Sequence, residues 1–270
     1  MADCNHDCEH CASNCGERKA ESLMFSNNPN SIIKNVIGVV SGKGGVGKSL
    51  VTGLLACEMR RRGFSTAVLD ADITGPSIPK MFGVNEPVLS DGHYIQPSVS
   101  KNGIKLISMN LCLQDERAPV VWRGPVLGGV LRQFWEEVDW GMIDYMFVDM
   151  PPGTGDVPLT VFQSLPLKGI IVVTTPQELV SMIVGKALNM AAMMNIPVLG
   201  IVENMAYFEC PDCGKKHYIF GRNNNPGCSV TSEIPIMPEI AELCDSGKIE
   251  DFDSGSGKYL GGIIDTLKNL

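Results

Sequence analysis

Short apolar runs bounded by glycine or a turn recur along most of the chain: VIGVVS, TAVLD, KLISM, YMFVDM, GIIVVTT and PVLGIVEN. They are rich in Val and Ile without polar alternation, the pattern of strands buried on both faces. Between them apolar positions change to helical spacing, as at Val51, Leu54, Leu55 and Met59. Strands alternating with helices predict an α/β fold of three layers, a mainly parallel central sheet flanked by helices. The DG and NG pairs between Asp91 and Ser108 predict an antiparallel excursion. Residues 1–30 have almost no β-branched or aromatic side chains and end in the turn-rich SNNPNS. They read as a flexible cysteine-rich tail ahead of one domain spanning 31–270.

The 270 residues, 44% of them hydrophobic, suffice for a large core. A formal net charge of −8 leaves no surplus of Lys and Arg to displace counterions from a phosphate backbone, so nucleic acid is not the expected partner. No apolar stretch approaches a membrane span, and the acidic start MADCNHDCEHC is unlike a signal peptide. The expected setting is the cytoplasm, without a membrane partner. There, ten cysteines point to metal more than to disulfides.

Directly after the first strand comes Gly42-Lys43-Gly44-Gly45-Val46-Gly47-Lys48-Ser49, which fits G-x-x-x-x-G-K-[ST]. Glycines let successive backbone N–H groups turn inward around phosphate oxygens, and the following helix adds its positive N-terminal end. Lys48 supplies charge to the outer phosphates, and the Ser49 hydroxyl suits Mg²⁺. The stretch also matches G-x-G-x-x-G through Gly42, Gly44 and Gly47, but a dinucleotide site needs neither Lys48 nor Ser49. The chain is therefore expected to have the P-loop NTPase fold and to bind ATP with Mg²⁺.

Two strand ends add carboxylates: Asp70-Ala71-Asp72 and Asp149. An aspartate closing an apolar strand beside a P-loop holds a Mg²⁺-bound water in such enzymes, which assigns Asp70 and Asp149 to the metal. Asp72 is the candidate for orienting the attacking water, and helix capping is the plain alternative for both Asp70 and Asp72. The segment from Pro151 to Gly155 reads as a switch loop. Lys43 is not needed to bind one triphosphate; it is either a solvated loop lysine or a group that reaches the nucleotide of a facing protomer.

Cys210 and Cys213 form a C-x-x-C pair. One pair gives two thiolates whereas a cubane cluster takes four, so a two-fold dimer would complete the set. Zinc bound within one chain by Cys210, Cys213, His217 and Cys228 is equally compatible with the spacing. Cys4, Cys8, Cys11 and Cys15 recur at helical spacing and would share one face of a helix. A second cluster or transient metal site, zinc assisted by His6 or His10, and an unliganded tail are all open there. Cys57, Cys112, Cys228 and Cys244 are scattered and read as small buried hydrophobes.

KGGVGKS with Lys43 resembles the deviant phosphate loop of the MinD, ParA and nitrogenase iron-protein class. LDADITGPSIPKMFG, VVWRGP, VDMPPGTGDVPLT, VVTTPQ and VENMAYFECPDCGKKHYIFG narrow the resemblance to the Mrp/ApbC family of iron-sulfur cluster carrier ATPases. The resemblance implies that Lys43 and Lys48 contact phosphate, Lys43 across a homodimer, and that Ser49 and the strand-end aspartates serve Mg²⁺. It further implies that Asn204 contributes to an adenine pocket and that Cys210 and Cys213 ligate a [4Fe-4S] cluster shared between two protomers. Slow ATP hydrolysis, a cluster donor and apo iron-sulfur acceptor proteins follow from the same resemblance. After IFG, Arg222-Asn223-Asn224-Asn225 replaces the glycines usual in the family.

Overall fold

The computed structural model describes residues 23–270 except 73–74, 76, 91, 113–123, 154, 177, 223–229 and 253–255. Cys4, Cys8, Cys11, Cys15 and Cys228 lie outside the described residues. In chain order the elements begin β1 (Ile32–Ser41), α1 (Lys48–Arg61), β2 (Thr66–Asp70), α2 (Ile78–Phe82), β3 (Leu89–Ser90), β4 (Ile95–Gln96), β5 (Ser98–Val99) and β6 (Lys105–Ser108). They continue with α3 (Gly124–Glu136), β7 (Met142–Asp149), α4 (Asp156–Ser164), β8 (Leu167–Thr174), α5 (Glu178–Met193) and β9 (Val198–Glu203). The C-terminal part adds β10 (Phe208–Glu209), β11 (Lys216–His217), β12 (Ser232–Glu233), α6 (Pro238–Asp245), α7 (Ser256–Tyr259) and α8 (Gly261–Lys268).

Eight strands form one sheet in the order β12-β9-β8-β1-β7-β2-β6-β5. Every pairing in it is parallel except that of β5 with β6. The antiparallel excursion falls where the DG and NG pairs predict it: β3 pairs with β4 around Gly92, and β5 with β6 around Gly103.

The unalternating strands feed two cores at once, because successive side chains of a strand point to opposite faces. Ile37 and Val39 of β1, Phe147 of β7 and Ile171 and Val173 of β8 enter one core with α1, α2, α6 and α8. Val36 and Val40, Met146 and Val148, and Ile170 and Val172 enter the other with α3, α4 and α5. Each large side chain buried in full contributes about 1.5–3 kcal/mol, which is what commits these strands to the middle layer. α1 departs from a simple amphipathic pattern. Besides Val51, Leu54, Leu55 and Met59, it buries Thr52 against Asp149 of β7, and Cys57 and Glu58, since α2, α7 and residues Ile249–Asp251 also pack against it.

The attachment of the N-terminal segment starts earlier than the composition suggests. The Phe25 N–H donates to Ser164 O at 2.9 Å, the Asn28 side chain donates to Glu136 O at 3.1 Å, and the Trp135 indole donates to Asn27 Oδ1 at 3.1 Å. Asn28 is buried. The segment from Phe25 through the turn-rich SNNPNS is thus a hydrogen-bonded clasp, Phe25 on the end of α4 and the polar side chains on the end of α3.

Candidate functional site

The phosphate loop joins β1 to α1, and its shape depends on two glycines. Gly45 and Gly47 adopt φ of 78° and 82°, the left-handed region open to glycine at little cost. At Gly47 a side chain would also strike the amide of Asn204. Asn204 is buried at the end of β9, and its amide donates to Val46 O at 2.9 Å, tying the loop to a strand 158 residues away in sequence. The Ser41 hydroxyl donates to Lys43 O at 3.0 Å on the opposite side of the loop.

Lys48 opens α1 and is buried, yet its ammonium is well compensated. It lies 2.7 Å from Asp149 Oδ1 and 3.5 Å from Asp72 Oδ2. Asp149 closes β7 with no solvent exposure, and burial pushes its carboxyl up. Opposing that are Lys48 and two hydroxyls: Ser49 donates to Oδ2 at 2.5 Å and Thr52 to Oδ1 at 2.9 Å. A buried carboxylate is held charged only by such donors and a cation.

Asp70 and Asp72 diverge although two residues apart. Asp72 lines the cleft beside Lys48. Asp70, like Asp149, lies behind it: Oδ2 accepts from the Ser108 hydroxyl at 3.0 Å and Oδ1 from the Asp72 N–H at 3.1 Å. Burial, then the neighbouring Asp149 charge, holds its carboxyl well above the usual range. The Asp70 carboxyl thus clasps the Asp72 loop. Ser49, Asp149 and Asp72 offer hard oxygen donors, and Mg²⁺ takes few carboxylates and keeps its own waters, so this set fits it without a closed protein cage.

The cleft above the loop measures about 570 Å³ and includes Lys43, Gly44, Pro152 and Asn204. Its far wall runs from Ile234 through Met237 to Ile240 and Cys244 on α6. Sequence reasoning missed this wall, whose one signal is the proline-bounded IPIMP ahead of α6. Cys244, expected to be simply buried, is a half-buried part of the wall, whereas Cys57 is buried as expected.

Cys210 and Cys213 occupy the turn between β10 and β11, past the end of β9. The Cys210 N–H donates to Lys215 O at 3.0 Å and the Gly214 N–H to Cys210 O at 2.9 Å, with Gly214 at φ 68°. Backbone N–H groups of Cys213 and Asp212, and the Cys213 thiol, aim at the Cys210 sulfur and lower its pKa. Cys213 and His217 are exposed. Among the described residues no three His, Cys, Asp or Glu side chains converge as a metal site, so His217 does not complete one with the pair.

A family model described as ParA, NUBPL iron-transfer P-loop NTPase, matches residues 32–267. The chain belongs to this iron-transfer P-loop NTPase family. Its relatives include the iron-sulfur cluster carrier protein of Clostridium perfringens, 47% identical over 84% of each chain. The iron-sulfur cluster carrier protein of Methanocaldococcus jannaschii is 44% identical over 92% of this chain and 90% of its own. Among solved structures, a nucleotide-binding protein of Archaeoglobus fulgidus in complex with ADP has a TM-score of 0.74 at 40% identity, covering 84% of this chain and 91% of that one. The MinD cell division ATPase of Pyrococcus furiosus shares the fold, with a TM-score of 0.62 at 18% identity over 87% of this chain and 98% of its own. The resemblance in the motifs thus identifies the family. No helix among the described residues is long and apolar enough to cross a membrane.

Proposed function

We propose that this protein is an ATP-dependent carrier that holds a [4Fe-4S] cluster between two copies of the chain and passes it to apo iron-sulfur proteins. The observation that carries the reading is the half-complete metal site: an exposed Cys213 thiol beside a half-buried Cys210 already tuned toward thiolate, with no third ligand converging among the described residues. A second copy related by a two-fold axis supplies the other two thiolates a cubane needs. Ile219 and Phe220, which follow β11 in the same hairpin segment, are 62% and 42% exposed, apolar area that a contact between copies would cover. Zinc held within one chain draws less support, because among the described residues no third ligand converges with the pair.

In this reading ATP enters the cleft with its phosphates in the loop from Gly42 to Ser49 and its base near Asn204 and the Ile234–Met237 wall. Lys48, and Lys43 of the facing copy, neutralise phosphate charge. Ser49 and Asp149 would hold Mg²⁺, which would supply further charge neutralisation, and Asp72 orients the attacking water. Pro152 lines the cleft and the Gly153 N–H donates to Ser41 O at 2.9 Å, so the Pro151–Gly155 segment is coupled to the loop and serves as the switch. Residues 31–270 constitute the ATPase domain, with Cys4, Cys8, Cys11 and Cys15 of the tail as a second metal site. The protein works in the cytoplasm with a cluster donor upstream and needs neither nucleic acid nor membrane.

Anaerobic transfer to an apo acceptor, with and without MgATP, tests the coupling. Wild type is expected to respond to nucleotide, Lys48→Ala to lose the response, and Cys213→Ala to fail to load. Normal ATP-dependent transfer by either variant would overturn the scheme.

A further inference from the structure

Asp149 has a third protein partner that lies outside the phosphate-loop motif. Thr52 sits one turn along α1 from Lys48, with no solvent exposure. Its hydroxyl has two acceptors in reach, Lys48 O at 3.0 Å and Asp149 Oδ1 at 2.9 Å. One hydrogen serves one of them at a time, and the carboxylate is the stronger acceptor. Lys48 approaches the same oxygen, Oδ1, while Ser49 takes Oδ2.

These partners differ in what nucleotide does to them. Lys48 and Ser49 both line the cleft. Each interaction Lys48 makes with phosphate competes with its bond to Asp149, and a Ser49 oxygen facing a metal changes its own hydrogen bonding. Thr52 does not line the cleft and is packed inside α1, so its bond to Asp149 stays while the other two are renegotiated.

We infer that Thr52 is a positioning residue for the metal: its hydroxyl fixes the Asp149 carboxylate from behind, keeping Oδ2 turned toward Ser49 when Lys48 engages phosphate. Groups that orient a metal-facing carboxylate typically matter tenfold to a hundredfold in metal affinity. A Thr52 that merely filled space in α1 would instead be replaceable by valine, which has the same shape and no donor.

The inference rests on the reading of the cleft as a Mg²⁺-nucleotide site, and one experiment separates the two. ADP affinity is measured by titration calorimetry with excess Mg²⁺ and again with chelator, for wild type, Thr52→Val and Thr52→Ser, with thermal melts of the nucleotide-free proteins alongside. The expected result is that Mg²⁺ tightens ADP binding to wild type, that Thr52→Val loses roughly tenfold to a hundredfold of that gain with little change in chelator, and that Thr52→Ser regains it. Should Thr52→Val not fold, Thr52→Ala takes its place in the same comparison. An unchanged Mg²⁺ gain in the valine or alanine protein, equal losses with and without Mg²⁺, or no rescue by serine would overturn the role of Thr52. A wild type whose ADP affinity ignores Mg²⁺ would overturn the cleft reading itself, and this inference with it.

Discussion

Asp70 and Asp149 stand in register at the ends of adjacent parallel strands, yet Asp149 faces the buried ammonium of Lys48 and Asp70 faces Ser108 and its own loop. Two fully buried carboxyls side by side share one compensating lysine, and burial raises both. Without nucleotide this end of the sheet is a place where the fold tolerates electrostatic cost for the sake of the site.

That cost makes stability depend on pH in a definite direction. Burial followed by the Asp149 charge raises Asp70, and burial raises Asp149. A raised carboxyl binds its proton more tightly folded than unfolded, so its contribution to stability is complete below the ordinary carboxylate range and is lost as pH rises through the raised values. Urea denaturation of the metal-free protein is expected to show this part of the stability falling with increasing pH. Asp70→Asn, which keeps an oxygen for the Asp72 N–H, should flatten the dependence and be relatively more stable at neutral pH. An equally steep profile in the variant would contradict the assignment.

The loop glycines are not equivalent. A Cβ at Gly45 meets nothing within 4 Å, so Gly45→Ala carries only the strain of its positive φ, about 1–2 kcal/mol. Gly47→Ala adds a collision with Asn204 that pushes apart the loop and β9. ADP binding should weaken modestly in the first and by at least about a hundredfold in the second, with circular dichroism of both near wild type; the opposite order would contradict this account of the loop.

Much of this arrangement was legible in the chain. The Val- and Ile-rich runs had to lie in the middle of three layers because they offered no polar face, and Lys48, Ser49 and Asp149 were legible because each sits at a strand or helix end fixed by local sequence. Asp70 and Asp72 were not separable: spacing of two implies one face only while the strand continues, and Asp72 has already left it. The Ile234–Cys244 wall carries no motif, since a surface that contacts a ligand through packing needs shape more than particular residues. Thr52 belongs to no motif, and its bond to Asp149 spans 97 residues of sequence. The clasp from Phe25 to Asn28 was hidden by a composition that matches loops and tails alike.

The cysteines should differ in reactivity. Donors around the Cys210 sulfur lower its pKa, whereas burial pushes Cys57 up to about 12 and Cys244 up to about 11. The thiolate is the nucleophile, so brief iodoacetamide treatment of the reduced, metal-free protein at neutral pH should label Cys210 well before Cys57 or Cys244. Peptide mass spectrometry reads the order, and early labelling of Cys57 would contradict the fold around α1.

The central claim is that each chain brings half of a cluster site. Native mass spectrometry of anaerobically reconstituted protein, in a variant with Cys4, Cys8, Cys11 and Cys15 all replaced by serine, tests it most directly. The account predicts two chains with a single [4Fe-4S] cluster, and loss of both cluster and dimer in a Cys213→Ser derivative. A monomer carrying a complete cluster, or one zinc per chain with no cluster, would contradict it.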